Sequence, residues 1–308
     1  PKRIEEQRFR AIFRRVHAAH SACLGDEWLT QPCKLADGRL ATRPLVWSRR
    51  NGPWHRVPVL WVGAAPGNAG GRGSGVLGAH GTRIPFGGDI AGANLDAMLG
   101  SIGLDRNRTF LTAALNHLPA RGGGEPTLDE ILAPVGEYSS SLVLLRDTLL
   151  ATGPALIVAL GNVALRAVCA AARVDESVTR LPSLQRLRSG GFDRGMLRTL
   201  TDLCTPQREF ADRWTEAWDS ADLPDVLWIT HPSGQNMSPY AGVGTLFHTR
   251  MIEALAALRF AVQSSLNWDV PVVRPAPPGT GIYALPEWRE RIGPHHERLD
   301  ALWRANGI

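Results

Sequence analysis

The chain has 308 residues, 44% of them hydrophobic, with a net charge of +5 and a pI near 9.4. That composition supports one large domain with extensions or two small domains, and it excludes global disorder. No apolar run approaches the ~20 residues of a membrane helix, and the charged opening, residues 1–15, holds no signal-peptide core. A soluble, cytoplasmic protein with no membrane partner is expected. The positive charge suits a polyanionic partner or belongs to an ordinary basic enzyme. It is almost all arginine, because Lys2 and Lys34 are the only lysines. The four cysteines, Cys23, Cys33, Cys169 and Cys204, form no C-x-x-C pair, so neither a zinc ribbon nor a redox motif is indicated.

Phe9, Ile12, Phe13 and Val16 recur at helical spacing among arginines, which predicts an amphipathic helix over residues 5–20. The apolar run 57–62, ending at Gly63, reads as a buried strand. A glycine-rich loop follows over 63–88, then a helix over about 91–101. A second strand is predicted over 109–115, reaching Asn116. Thr127 and Glu130 form a capping box, from which a helix runs on to residue 150, with Pro134 as a point of disturbance. Residues 155–160 make a third strand, and Gly161 opens a helix through Cys169. A fourth strand over 226–230 delivers His231, and a helix over about 245–261 closes the unit.

Strands alternating with helices predict an α/β fold, a three-layer α/β/α sandwich around a central, mostly parallel four-stranded sheet. Ligands of such sheets bind beyond the carboxyl ends of the strands, and those ends carry Gly63, Asn116, Gly161 and His231. The expected organisation is an N-terminal helical extension (1–54), the α/β domain (55–262) and a C-terminal extension (263–308). The last is proline-rich at first and ends in a short helix over 297–305. An arginine-rich insertion at about 174–222 contains Arg180, Arg186, Arg188, Arg194 and Arg198; it is either DNA-facing or a solvated surface lobe.

Three ordered segments carry the chemistry: Gly63-Ala64-Ala65-Pro66-Gly67, Pro85-Phe86-Gly87-Gly88-Asp89-Ile90-Ala91-Gly92, and His231-Pro232-Ser233. Together they resemble the uracil-DNA glycosylase superfamily over roughly two thirds of the chain. The pattern is most similar to the branch called family five, or B-type, through Gly63–Pro66, Gly78-Ala79-His80-Gly81, the Phe86–Gly92 segment and His231–Asn236. The resemblance implies the fold above and an enzyme that acts on DNA as a monomer.

A glycosylase extrudes its target base into a pocket and breaks the N-glycosidic bond. The sugar gains cationic character and the base gains negative charge, so a carboxylate near the sugar and a donor near the base are needed. In the strict uracil enzymes the catalytic aspartate sits in the first motif, where this chain has Ala65. In the B-type branch the second-motif aspartate takes that role, which the resemblance assigns to Asp89; the alternative is that Asp89 caps the following helix. His231 is the corresponding donor, or a satisfied histidine at a strand end. Asn116 offers the donor and acceptor that reading a pyrimidine's pairing edge requires, or serves as turn chemistry. Phe86 resembles the aromatic on which the extruded base stacks, or is a core residue. Gly63, Ala65 and Gly67 line the base pocket in this reading. Ser233, Gly234 and the Gly63–Gly67 backbone hold phosphates, while Gln235, Asn236 and Met237 belong to the loop that enters the DNA.

The chain departs from its relatives in two ways. Many bind an iron–sulfur cluster through an N-terminal cysteine pair and two cysteines after the second strand; here Cys23 and Cys33 are ten positions apart and residues 117–141 contain no cysteine. No cofactor and no metal are expected. Strict uracil enzymes also reject C5 substituents with a tyrosine after the first-motif proline, where Gly67 stands; a pocket tolerant of bulk at that carbon follows. Both lysines precede every motif, so a Schiff-base nucleophile is absent from the pocket and a monofunctional enzyme is expected.

Gly73-x-Gly75-x-x-Gly78 fits a dinucleotide fingerprint in letters only, since it lies some ten residues past a strand end and leads into more glycine. Neither a Walker loop nor a Gly-x-Ser-x-Gly elbow occurs. Two functions remain. One is an active glycosylase, in base-excision repair or in antiviral defence against hypermodified phage DNA. The other is a catalytically weak protein that binds modified DNA.

Overall fold

A computed structural model describes residues 57–65, 86, 90–104, 109–115, 119, 125–135, 138–173, 181–233 and 244–268, with two short pieces at 33–34 and 40–41. The helices expected over 5–20 and 297–305 lie outside the described residues. The two pieces are antiparallel strands, β1 (Cys33–Lys34) and β2 (Leu40–Ala41).

The remaining strands are β3 (Val59–Gly63), β4 (Phe110–Ala113), β5 (Leu156–Leu160), β6 (Leu197–Thr199) and β7 (Asp225–Ile229), in the spatial order β4-β3-β5-β7-β6. β3 pairs in parallel with both β4 and β5, and β5 pairs in parallel with β7. The runs Val-Leu-Trp-Val-Gly and Leu-Ile-Val-Ala-Leu are buried at every position, as strands covered on both faces require. One face stacks Leu60, Val62, Phe110, Ile157, Ala159, Val226 and Trp228 in one core cluster. The other stacks Val59, Trp61, Leu111, Leu156, Val158, Leu160, Leu227 and Ile229 in a second. Helices α1 (Ile90–Ser101) and α8 (Gly244–Leu266) cover the second face through Leu95, Met98, Leu99, Leu255 and Leu258. The three-layer α/β/α arrangement is therefore observed.

Between β4 and β5 the capping box forms as expected: the Glu130 amide donates to Thr127 Oγ1 at 3.3 Å, and the Thr127 amide donates to Glu130 Oε2 at 2.7 Å. The helix it starts, α2 (Leu128–Leu132), is only 5 residues long. Ala133 turns extended (φ −65°, ψ 146°) because proline at 134 disfavours a helical predecessor. A new helix, α3 (Ser141–Thr152), starts at the N-cap Ser140 and stops at Gly153 (φ 50°). The single helix expected from Thr127 to residue 150 is thus two.

After β5 comes α4 (Asn162–Ala171). The arginine-rich stretch then folds as α5 (Leu184–Ser189), β6, α6 (Leu200–Leu203) and α7 (Arg208–Trp218). β6 pairs antiparallel with β7, so the sheet has five strands where four were expected. The described part of this stretch is no solvated lobe, because Leu187, Phe192, Leu200, Phe210 and Trp214 are buried in the first core cluster. α7 docks on α3 through the Trp218 indole N–H, which donates to the Leu150 carbonyl at 2.9 Å, and through Arg213, 3.5 Å from Asp147.

Candidate functional site at the strand ends

The four parallel strands run in the spatial order β4-β3-β5-β7. Chain progression reverses between β3 and β5, so their following loops diverge and leave a crevice at the carboxyl edge. Of the residues expected to act, Gly63, Ala65, Phe86, His231 and Ser233 are described.

β3 ends at Gly63, where the ring of Phe86 lies so close that a β-carbon at 63 would stand 2.9 Å from Phe86 Cζ. Glycine is the residue that permits this approach. Phe86 itself has a φ of 53°, an unusual conformation for an aromatic residue and one that persists only where its surroundings hold it. Its ring is partly buried, packs against the second core cluster, and sits 5.7 Å from the His231 ring at a tilt of 36°. Phe86 and His231 are therefore neighbouring, partly buried rings at the carboxyl edge of the sheet.

His231 follows β7 and passes beside Gly161, whose φ of 92° requires glycine and whose added β-carbon would lie 3.4 Å from His231 Cβ. The Gly161 amide donates to the Ile229 carbonyl at 2.9 Å, tying the two strand ends together. The Ser233 amide donates to His231 Nδ1 at 3.2 Å. A ring nitrogen that accepts carries no proton, so the neutral imidazole holds its hydrogen on Nε2. Burial lowers the imidazole from its ordinary value near 6.5 to about 4. At neutral pH His231 is an uncharged donor.

Sequence reasoning missed one supporting residue. Asn94, fully buried on α1, donates through Nδ2 to the Pro232 carbonyl at 2.8 Å and so clamps the His-Pro-Ser turn from the second face of the sheet. Its signal was present: an asparagine between apolar neighbours in Ile-Ala-Gly-Ala-Asn-Leu needs a buried partner.

Ala65, with Ala64, is partly buried against the first core cluster, and its methyl group offers no chemistry. The Ala114 and Leu115 amides donate to the Gly63 and Ala64 carbonyls at 2.9 and 3.0 Å, carrying the β3–β4 pairing beyond the strands towards position 116. Ser233 is described and partly buried. Asp89, Asn116, Gly67, Gly234, Gln235, Asn236 and Met237 lie outside the described residues.

No group of three or more histidine, cysteine or carboxylate side chains is placed to hold a metal among the described residues. Cys169 and Cys204 instead meet each other. The hydrogen bond that Cys169 gives to Cys204, with burial, raises the Cys169 thiol, and accepting it lowers Cys204. Among the described residues no helix is long and apolar enough to cross a membrane.

A search of curated proteins returns no match to this chain. A family model described as the uracil DNA glycosylase superfamily matches residues 50–259, which spans β3 to most of α8 and includes Gly63, Phe86, Gly161 and His231. With a doubly wound sheet, an aromatic wall and a neutral histidine at the strand ends, the chain belongs to the uracil DNA glycosylase superfamily.

Proposed function

We propose that the protein is a monofunctional DNA glycosylase of the B-type kind, which extrudes uracil or a C5-substituted pyrimidine and hydrolyses its N-glycosidic bond to leave an abasic site. The observation that carries this reading is the neutral His231 imidazole, with its proton on Nε2, beside the Phe86 ring. A flat wall for stacking and an uncharged N–H donor are what an extruded base with a carbonyl oxygen calls for.

In this mechanism the base stacks on Phe86 and presents an oxygen to His231 Nε2–H. As the bond from C1′ to the base nitrogen breaks, its electron pair passes to the base, and the hydrogen bond strengthens as charge grows there. Water adds to C1′, its proton passes to the carboxylate of Asp89, and the departing base takes a proton from solvent. Chain connectivity supports Asp89 in that role, since it follows Phe86 by three residues and adjoins the first residue of α1. Asn116 reads the pairing edge. Ser233 and Gly234 hold phosphates, and Gln235, Asn236 and Met237 fill the space the nucleotide leaves.

The small residues Ala65 and Gly67 favour tolerance of bulk at C5, which makes hypermodified phage bases a second substrate class. Duplexes bearing uracil, hydroxymethyluracil, hypoxanthine, 5-hydroxymethylcytosine and its glucosylated form, treated with alkali after incubation, separate these readings. Scission at uracil and at a C5-substituted pyrimidine is expected. Rejection of every C5-substituted base ends the open-pocket reading, and binding without scission on any duplex replaces the enzyme with a modified-DNA-binding protein.

A further inference from the structure

The loop between α5 and β6 carries charge that the pocket does not use. The described stretch 181–199 holds four arginines, Arg186, Arg188, Arg194 and Arg198, against a single carboxylate, Asp193. The loop is pinned. Gly191 and Gly195 take φ values of 78° and 81°, the Gly195 amide donates to the Trp228 carbonyl at 2.8 Å, and the buried Phe192 ring packs 5.9 Å from the Trp228 ring.

Trp228 lies on the first face of β7, and two guanidinium groups cover its ring, with Cζ of Arg188 and Arg194 at 5.5 and 5.3 Å from the ring centre. A cation–π contact draws each guanidinium over the ring while its N–H groups stay free to bond elsewhere. Arg194 gives one of them to Asn162 Oδ1 at 3.2 Å, and Arg188 stands 3.8 Å from Asp193, an exposed pair of little strength. Both arginines are exposed.

Their position gives them a use. Asn162 directly follows Gly161, which abuts His231, and Trp228 precedes His231 by three residues, a span of about 10 Å along extended chain. The arginine pair thus flanks the carboxyl edge of the sheet that carries Gly161 and His231. At 3.4 Å of axial rise per phosphate along one strand, about 10 Å corresponds to roughly three nucleotides.

We propose that Arg188 and Arg194 form a phosphate-binding arm that grips the DNA backbone within about three nucleotides of the extruded base. The arm rests on the reading that this edge takes its nucleotide from DNA. Preordered on Trp228, the guanidinium groups lose little side-chain freedom on binding, and they set the register of the backbone without reading sequence.

The test replaces both with a residue of similar length that still covers Trp228 but carries no charge, Arg188→Met with Arg194→Met, and measures binding to an undamaged duplex across a salt series. The slope of log K against log[salt] is expected to flatten by about 2, and affinity at 0.1 M salt to fall about eight-fold per arginine, whatever the sequence. The lysine pair R188K/R194K restores the slope, which separates charge from packing and covers the case in which the methionine pair does not fold. An unchanged slope in the methionine variant overturns the arm, as does failure of the lysine pair to restore it. A wild-type protein that excises no base yet shows the arginine-dependent slope keeps the arm and rejects the glycosylase reading.

Discussion

At His231, burial and one backbone hydrogen bond decide what the residue can do. The Ser233 amide fixes the tautomer, and burial holds the imidazole at about 4. An unfolded histidine binds a proton below about pH 6.5, whereas the folded one does so only below about 4. The unfolded state therefore binds more protons in that window. Stability contributed by His231 is whole above about pH 6.5 and is lost as pH falls towards 4, by at most about 3 kcal/mol. Thermal unfolding of the wild type against His231→Asn between pH 4 and 7 should show the wild type losing more with acid. Nδ1 should also remain unprotonated in NMR spectra down to about pH 5. Equal acid sensitivity of the two proteins would contradict the neutral assignment. His-Pro-Ser marked this position in the sequence; the tautomer was not legible there, because it depends on how the turn closes on itself. For Asn94 the need for a buried partner was legible, but the partner itself was not, because it lies 138 residues away.

Among the elements, β3, β5 and β7 could be read from their apolar runs because strands buried on both faces leave continuous hydrophobic letters. β6 could not, since three partly exposed residues at a sheet edge carry no such pattern. The packing of α7 was equally hidden. Its anchor, Trp218, rests on Gly153, where the chain ends α3 in a left-handed conformation and where any β-carbon would collide with the indole ring. Gly153→Ala therefore combines backbone strain with a steric clash and should destabilise the protein by roughly 2–4 kcal/mol, read by denaturant unfolding. Trp218→Ala in the same chain should make the alanine at 153 less costly, since the clash is gone and only the strain remains. Additive losses in the double variant would show that the ring does not rest on that glycine.

On the scale of the whole molecule, the strand order creates the crevice, and the first, third and fourth parallel strands deliver Gly63 with Phe86, Gly161 and His231 to it. Strand ends alone placed Gly63, Gly161 and His231 at one edge of the sheet, whereas Phe86 was legible only through the family resemblance. It could not show that an aromatic ring would sit on a glycine or that Arg188 and Arg194 would share Trp228 beside the same edge, since those contacts arise from folding the stretch after α4 back onto β7. The proposed base excision at this edge uses a carboxylate and a neutral imidazole. The most direct measurement is single-turnover release of an alkali-labile strand from a uracil-containing or C5-modified duplex by the wild type, Asp89→Asn and His231→Ala, with duplex binding followed in parallel. The wild type should cleave, and each variant should lose about 10²–10³-fold in rate while binding within a few-fold of wild type. Variants as active as the wild type, or a wild type that releases no base from any of these duplexes, would contradict it.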